Sequence, residues 1–342
     1  MKKLQQILRP KVVIPVLLSV AVVAGLLLFG NVGQVIHLME AFNRLYLLWF
    51  VVLMAVYEAV RGIQWHFLLK SMGIRVPVRA QVFSYAVGEM TKSIPIGNYV
   101  QNYILQQAEG TDFGVSSAAT TLVVLIEVFV SLMGVAIIGL GSWSDWLRPV
   151  ILIGLPVFGF IAWAVHDWQA HPQAPRWVKE HKMLLKAIDE LKRFRAGAAA
   201  LFHARIVGLA VLLGATYVIV AASALYLVVR GLGIGNVSLF QVWAVYFFSL
   251  AFSLIFPLPM DIGTNELSGV GALLALGLSK GDAVGAMLIN RALSLGSAAV
   301  MAIVAMIVLH DQFRAALQAR KSSASSQRPQ VPKEASQAAD RV

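Results

Sequence analysis

Six apolar stretches are long enough to cross about 30 Å of hydrocarbon. They lie at 12–30, 45–69, 115–140, 149–166, 206–229 and 283–309. No single water-soluble core can hide that many. Of the 342 residues, 58% are hydrophobic and 13% charged, where a soluble domain has about 45–50% and about 25%. The fold class is therefore an all-α polytopic membrane protein. Stretch 12–30 follows the basic MKKLQQILRPK and lacks a small-x-small cleavage site, so it reads as an uncleaved signal anchor. Zero cysteines exclude disulfide frameworks and thiolate chemistry. The seven histidines form no HExxH, and neither a metal nor a cofactor is expected.

Two further apolar stretches are interrupted in mid-course. Residues 81–107 contain Pro95, Ile96 and Gly97, and residues 237–277 contain Pro257, Pro259 and Gly263. Proline removes an amide donor and clashes with the preceding turn, so a continuous helix breaks there. Each stretch is predicted to be a re-entrant helix–break–helix hairpin. Each is followed by a Gly-apolar-Ser turn (Gly114-Val115-Ser116; Gly277-Leu278-Ser279) and a small-residue-rich span with one charge, Glu127 or Arg291. Three full spans lie between the start of one unit and the start of the next, so the hairpins are expected to enter from opposite sides. This predicts an inverted repeat over about 78–140 and 237–309, the architecture of many secondary transporters. The alternative is chance likeness, since Gly and Pro are common in membrane helices.

Net charge is +11, and its placement follows topology. With the N-terminus in the cytoplasm, cytoplasmic segments hold 21 of the 28 Lys and Arg. This positive-inside bias places both termini in the cytoplasm and removes the reason to expect a nucleic-acid partner. Residues 176–195 put Trp177, Leu184, Ile188 and Leu191 on one helical face among cations, as in a helix lying on anionic inner-leaflet lipid. Residues 1–319 read as one transmembrane domain, and 320–342 as a disordered cytoplasmic tail.

Eight ionisable side chains fall at membrane depth: Glu58, Arg61, Glu89, Lys92, Glu127, Asp261, Glu266 and Arg291. Each costs about 2.5–3.5 kcal/mol there even on insertion scales, so they must pair or face water. The i,i+3 spacing suggests a structural ion pair between Glu58 and Arg61, and another contact between Glu89 and Lys92. Thr264 and Asn265 are placed to cap the half-helix after the second break. The amides freed after Gly97 and Gly263 are natural anion sites. Glu89, Lys92, Asn98, Glu127, Asp261, Thr264, Asn265, Glu266 and Arg291 are the candidate substrate-binding residues, with Pro95, Gly97, Pro257, Pro259 and Gly263 as the breaks. The bland readings are ion pairs, rim residues and helix-end stabilisation. Trp243, Tyr246, Phe247 and Phe248 are read as packing, and His66 as an interface residue.

Arg61-x-x-x-Trp65-x-x-Leu68-Leu69, Tyr85…Gly88…Pro95-Ile96-Gly97, Pro257-Leu258-Pro259…Gly263…Glu266 and Gly277-Leu278-Ser279…Arg291 occur in order. Together they resemble the lysylphosphatidylglycerol synthase transmembrane-region family over about residues 45–309. The chain departs from that family's pattern at Glu127 and at Met260-Asp261. The resemblance implies a bacterial inner-membrane transporter, flippase- or scramblase-like, that moves a lipid or lipid-linked amphiphile between leaflets. No extramembrane catalytic domain is read here, so lipid synthesis is not carried over. The implied partner is a membrane lipid, and the oligomeric state, a homodimer included, stays open. The alternative is a membrane-embedded transferase acting on a lipid-linked substrate.

Overall fold

The computed structural model describes residues 24–92, 97–140, 182–201, 203–255, 263–309 and 311. These are helical apart from short connections. After a helical stretch at 24–29 come α1 (Val32–Glu40), α2 (Arg44–Ser71) and α3 (Val78–Thr91). A short 3₁₀ turn at Gly97–Tyr99 leads into α4 (Val100–Glu109) and then α5 (Phe113–Leu140). The remaining elements are α6 (Lys182–Leu201), α7 (Ala204–Gly231), α8 (Leu239–Ile255), α9 (Thr264–Ala275) and α10 (Lys280–Val308).

Four of these helices are long and apolar enough to cross a membrane: α2, α5, α7 and α10. They coincide with four of the six expected spans. The stretch 149–166 and most of 12–30 lie outside the described residues, as do Pro95, Pro257, Pro259, Asp261 and the tail. Both interrupted stretches form two helical arms that pack on one another, α3 with α4 and α8 with α9.

Helix ends follow local chemistry. The Asn43 side chain accepts the Leu45 amide at 3.0 Å to start α2, Asp112 accepts that of Val115 at 3.0 Å in α5, and Ser279 that of Asp282 at 3.2 Å in α10. Gly110 and Gly277 end α4 and α9 with φ of 67° and 87°, which glycine adopts without a Cβ penalty. These ends correct the turn expected at Gly114-Val115-Ser116, which lies inside α5; the residues that end one helix and cap the next, as Gly277 and Ser279 do, are Gly110 and Asp112. Apolar-Ser spacing alone could not separate a helix's first turn from the turn before it.

The distribution of side chains is the reverse of a water-soluble bundle. Leu45, Leu48, Trp49, Val300, Ile307 and Val308 are exposed, while Glu58, Gln64, Glu89, Asn102, Glu127 and Glu266 are buried. Aliphatics outside and polar groups inside suit hydrocarbon as the solvent. Helices approach closely where residues are small. Gly214 of α7 admits Ile126 of α5 and Gln64 of α2, Gly134 of α5 admits Phe247 of α8, and Gly269 of α9 admits Met287 of α10. Gln64 donates to the Ala210 carbonyl at 2.7 Å, tying α2 to α7. Tyr57 and Tyr217 add an edge-on ring contact at 5.5 Å across the same pair.

Candidate functional site

The buried charges converge on Arg61, in the middle of α2. Its Nε donates to Glu127 Oε1 of α5 at 2.9 Å, and its Nη1 pairs with Glu89 Oε1 of α3. Lys92 Nζ reaches the other oxygen of Glu89 at 2.5 Å, so the i,i+3 contact expected there is present. Two cations thus face two carboxylates, and Arg61, Glu89 and Glu127 are all buried. Such a network persists in low dielectric only because each charge has a partner. Tyr217 lies under the Arg61 guanidinium and Tyr57 under the Lys92 ammonium, at 6.0 and 5.3 Å from the ring centres.

Glu58 does not pair with Arg61 as the i,i+3 spacing suggested. Its Oε2 accepts the Tyr85 hydroxyl at 2.8 Å, and Oε1 has no hydrogen-bond partner. The reason is competition: Arg61 is turned inward by two carboxylates from other helices, and helix spacing alone does not see those.

The second unit carries an ion pair of its own. Arg291 Nε of α10 meets Glu266 Oε1 of α9 at 3.3 Å. Glu266 Oε2 accepts the Gly263 amide at 2.7 Å, so this carboxylate, and neither Thr264 nor Asn265, closes the start of α9. The amide at the second break is therefore already occupied by an anion of the chain itself. Gly263 has φ of 117°, a conformation that L side chains rarely adopt. At the first break the constraint is space: a Cβ on Gly97 would overlap the Thr91 carbonyl.

Between the units lies a cavity of about 110 Å³. It brings together Arg61, Lys92, Asn98, Glu127, Asn265, Glu266 and Arg291. Glu89 stands behind Arg61 in a much smaller void that Asn98 also lines, and Thr264 is buried with its hydroxyl unpartnered. Asp261, Pro95, Pro257 and Pro259 lie outside the described residues. Tyr246, read from sequence as packing, lines the cavity, whereas Trp243 donates to Ser223 at 3.1 Å and Phe247 is buried. Sequence reasoning missed Tyr57, Tyr217, Asn290 and Ser294, which also line it. Asn290 and Ser294 share a helix region with Arg291 and could have been flagged by adjacency. Tyr217 sits in an uncharged stretch that gives no such signal.

A family model described as the lysylphosphatidylglycerol synthase transmembrane region matches residues 16–306. The chain belongs to that family. A comparison with curated proteins found no match. Membership in the lysylphosphatidylglycerol synthase transmembrane-region family ties the chain to membrane-lipid function and identifies it as a multi-pass membrane protein.

The helix expected over 176–195 is described from Lys182 onward as α6. It packs on α5, with Gly114 against Glu190 and Arg193, and Gly197 against Val115 and Ala118. Arg193 bonds Asp112 at 3.0 Å, and that hydrogen bond, then the Asp112 charge, raises its pKa above the ordinary arginine value. The part of this helix beyond the docked face carries the exposed Lys192.

Proposed function

We propose that the chain is a transporter that moves a lipid or lipid-linked amphiphile between leaflets. The observation that carries this reading is the cavity shared by both units, walled by cations and carboxylates at membrane depth. A head group with charges of both signs finds complementary partners there, while hydrocarbon tails stay in the bilayer. The two arm pairs act as re-entrant hairpins of an inverted repeat, and rocking one unit against the other exposes the cavity to each side in turn. Lys92 and Asn98 contact the head group from the first unit, and Asn265, Glu266 and Arg291 from the second. The Lys and Arg distribution supports an inner-membrane location with both termini in the cytoplasm. It also supports contact of the 176–195 region with anionic lipid.

The test is a leaflet assay. Wild type, Arg291→Ala and Glu127→Ala are reconstituted in vesicles carrying a fluorescent phospholipid, and the fraction accessible to a membrane-impermeant quencher is followed over time. Wild type is expected to speed exchange over protein-free vesicles, and both variants to lose most of that gain. Equal exchange by all three defeats the assignment of the cavity.

A further inference from the structure

The polar side chains on the wall of the charged cavity fall into two sets. The charged ones are already engaged: Arg61 with Glu89 and Glu127, Lys92 with Glu89, and Arg291 with Glu266. Glu266 also holds the Gly263 amide. The second set is uncharged. Asn98, Asn265, Asn290 and Ser294 line the same cavity, and among the described residues their side chains have no hydrogen-bond partner.

Amides elsewhere inside the molecule are tied down. Gln64, Gln81, Gln101 and Asn102 are buried among the helices, and each has a partner. Gln64 bonds the Ala210 carbonyl at 2.7 Å, Gln81 bonds His66, and Gln101 and Asn102 both donate to the Thr120 hydroxyl at 2.9 Å. A polar group taken out of water costs free energy unless it is hydrogen-bonded, so a set left free in one place marks where something else bonds. The free groups come from both units. Asn98 precedes α4, Asn265 lies in the first turn of α9, and Asn290 and Ser294 stand one turn apart on α10. The cavity of about 110 Å³ is several times the ~10–15 Å³ that one water needs.

The chemistry of these groups narrows the ligand. An asparagine amide offers two donors and an acceptor, and a serine hydroxyl both donates and accepts. A phosphate or carboxylate only accepts, and an ammonium only donates, so either leaves part of this set unmet. A hydroxyl does both. A charge is met only by opening one of the wall's ion pairs, whereas a hydroxyl is met by groups already free. We infer that the head group seated in this cavity is a polyol, such as a single sugar, on a lipid anchor, with its hydroxyls bonded to Asn98, Asn265, Asn290 and Ser294. The inference rests on the transport reading for the cavity as a head-group site and names the class of cargo.

The test is competitive binding to the full chain in an amine-oxide detergent, which carries no sugar. Glucosyl-diacylglycerol has hydroxyls and no charge; phosphatidylcholine has charges of both signs and no hydroxyl. The two are matched in their chains and offered in equal amounts, and bound lipid is counted by native mass spectrometry. Wild type is expected to hold the glucosyl lipid over phosphatidylcholine by about tenfold, the scale of one or two net hydrogen bonds. Asn265→Leu and Asn290→Leu combined are expected to bring the two lipids level. Neither asparagine side chain bonds another described residue, so leucine strands no partner there. Equal binding by wild type overturns the inference, and so does a preference that survives in the combined variant. Methyl glucoside, which has the hydroxyls without the chains, is expected to leave the bound lipid in place at equal concentration. Displacement by it would assign the wall to a free polyol and overturn the lipid anchor. Binding is read without transport. Preference without leaflet exchange of either lipid therefore counts against the transport reading alone, and exchange without preference counts against the polyol alone.

Discussion

The two interrupted units meet one cavity but hold their charges differently. In the first, Glu89 and Glu127 share Arg61, which comes from α2, outside the unit, and Lys92 closes the set. In the second, Glu266 and Arg291 face each other within the unit, and Glu266 also ties down the start of α9. The Arg61 side chain is 8% exposed and that of Arg291 19%. The first set clamps α2, α3 and α5 together as a frame, whereas the Glu266–Arg291 contact joins α9 to α10 at the cavity wall.

The largest effects should fall on the frame. Arg61→Leu takes the arginine from buried Glu127 and leaves buried Glu89 with Lys92 alone, and is expected to cost about 3–5 kcal/mol. It should lower the thermal midpoint in detergent far more than Arg291→Leu, for which about 1–3 kcal/mol is expected because the Gly263 amide still serves Glu266. Thermal shift of both variants decides the point, and the reverse order would break the comparison. Next comes Gly97→Ala, where the overlap with the Thr91 carbonyl places the cost near the top of the ~1–3 kcal/mol range for overpacking. Here the readout is the yield of monodisperse protein, expected to drop sharply. Glu266→Gln keeps an acceptor for Gly263 and weakens only the contact with Arg291. Its expected cost is about 1 kcal/mol of stability, with a larger loss of leaflet exchange. Unchanged exchange in that variant would remove the second unit from the site.

How far the sequence reaches can be judged from particular residues. Apolar length placed α2, α5, α7 and α10 correctly, because a span in hydrocarbon has to be a long helix whatever surrounds it. The mid-stretch Gly and Pro marked where helices stop, since those are local backbone constraints. The cost of burying charge named the charged part of the cavity wall in advance: Arg61, Lys92, Glu127, Glu266 and Arg291. Partner choice was hidden. Arg61 is 28 residues from Glu89 and 66 from Glu127, and no helical periodicity relates residues on separate helices. The same limit hid Tyr217, and it made Glu58 look paired when its helix neighbour was engaged elsewhere.

The smallest predicted effect tests the register of the two units. If Asp112 is the counterpart of Ser279, its job is to cap α5 by accepting the Val115 amide, and its bond to the exposed Arg193 is secondary. Exposed ion pairs contribute little, because water and salt screen them. Asp112→Asn retains an acceptor for Val115 while giving up the charge, and should leave the thermal midpoint where it is. Asp112→Ala removes the cap and is expected to cost about 1 kcal/mol. Ser279→Ala at the start of α10 should cost a similar amount, since Ser279 accepts the Asp282 amide in the same way. Equal losses from Asp112→Asn and Asp112→Ala would show that the ion pair with α6, not the cap, fixes this end of α5. The likeness of the two turns would then be one of sequence only.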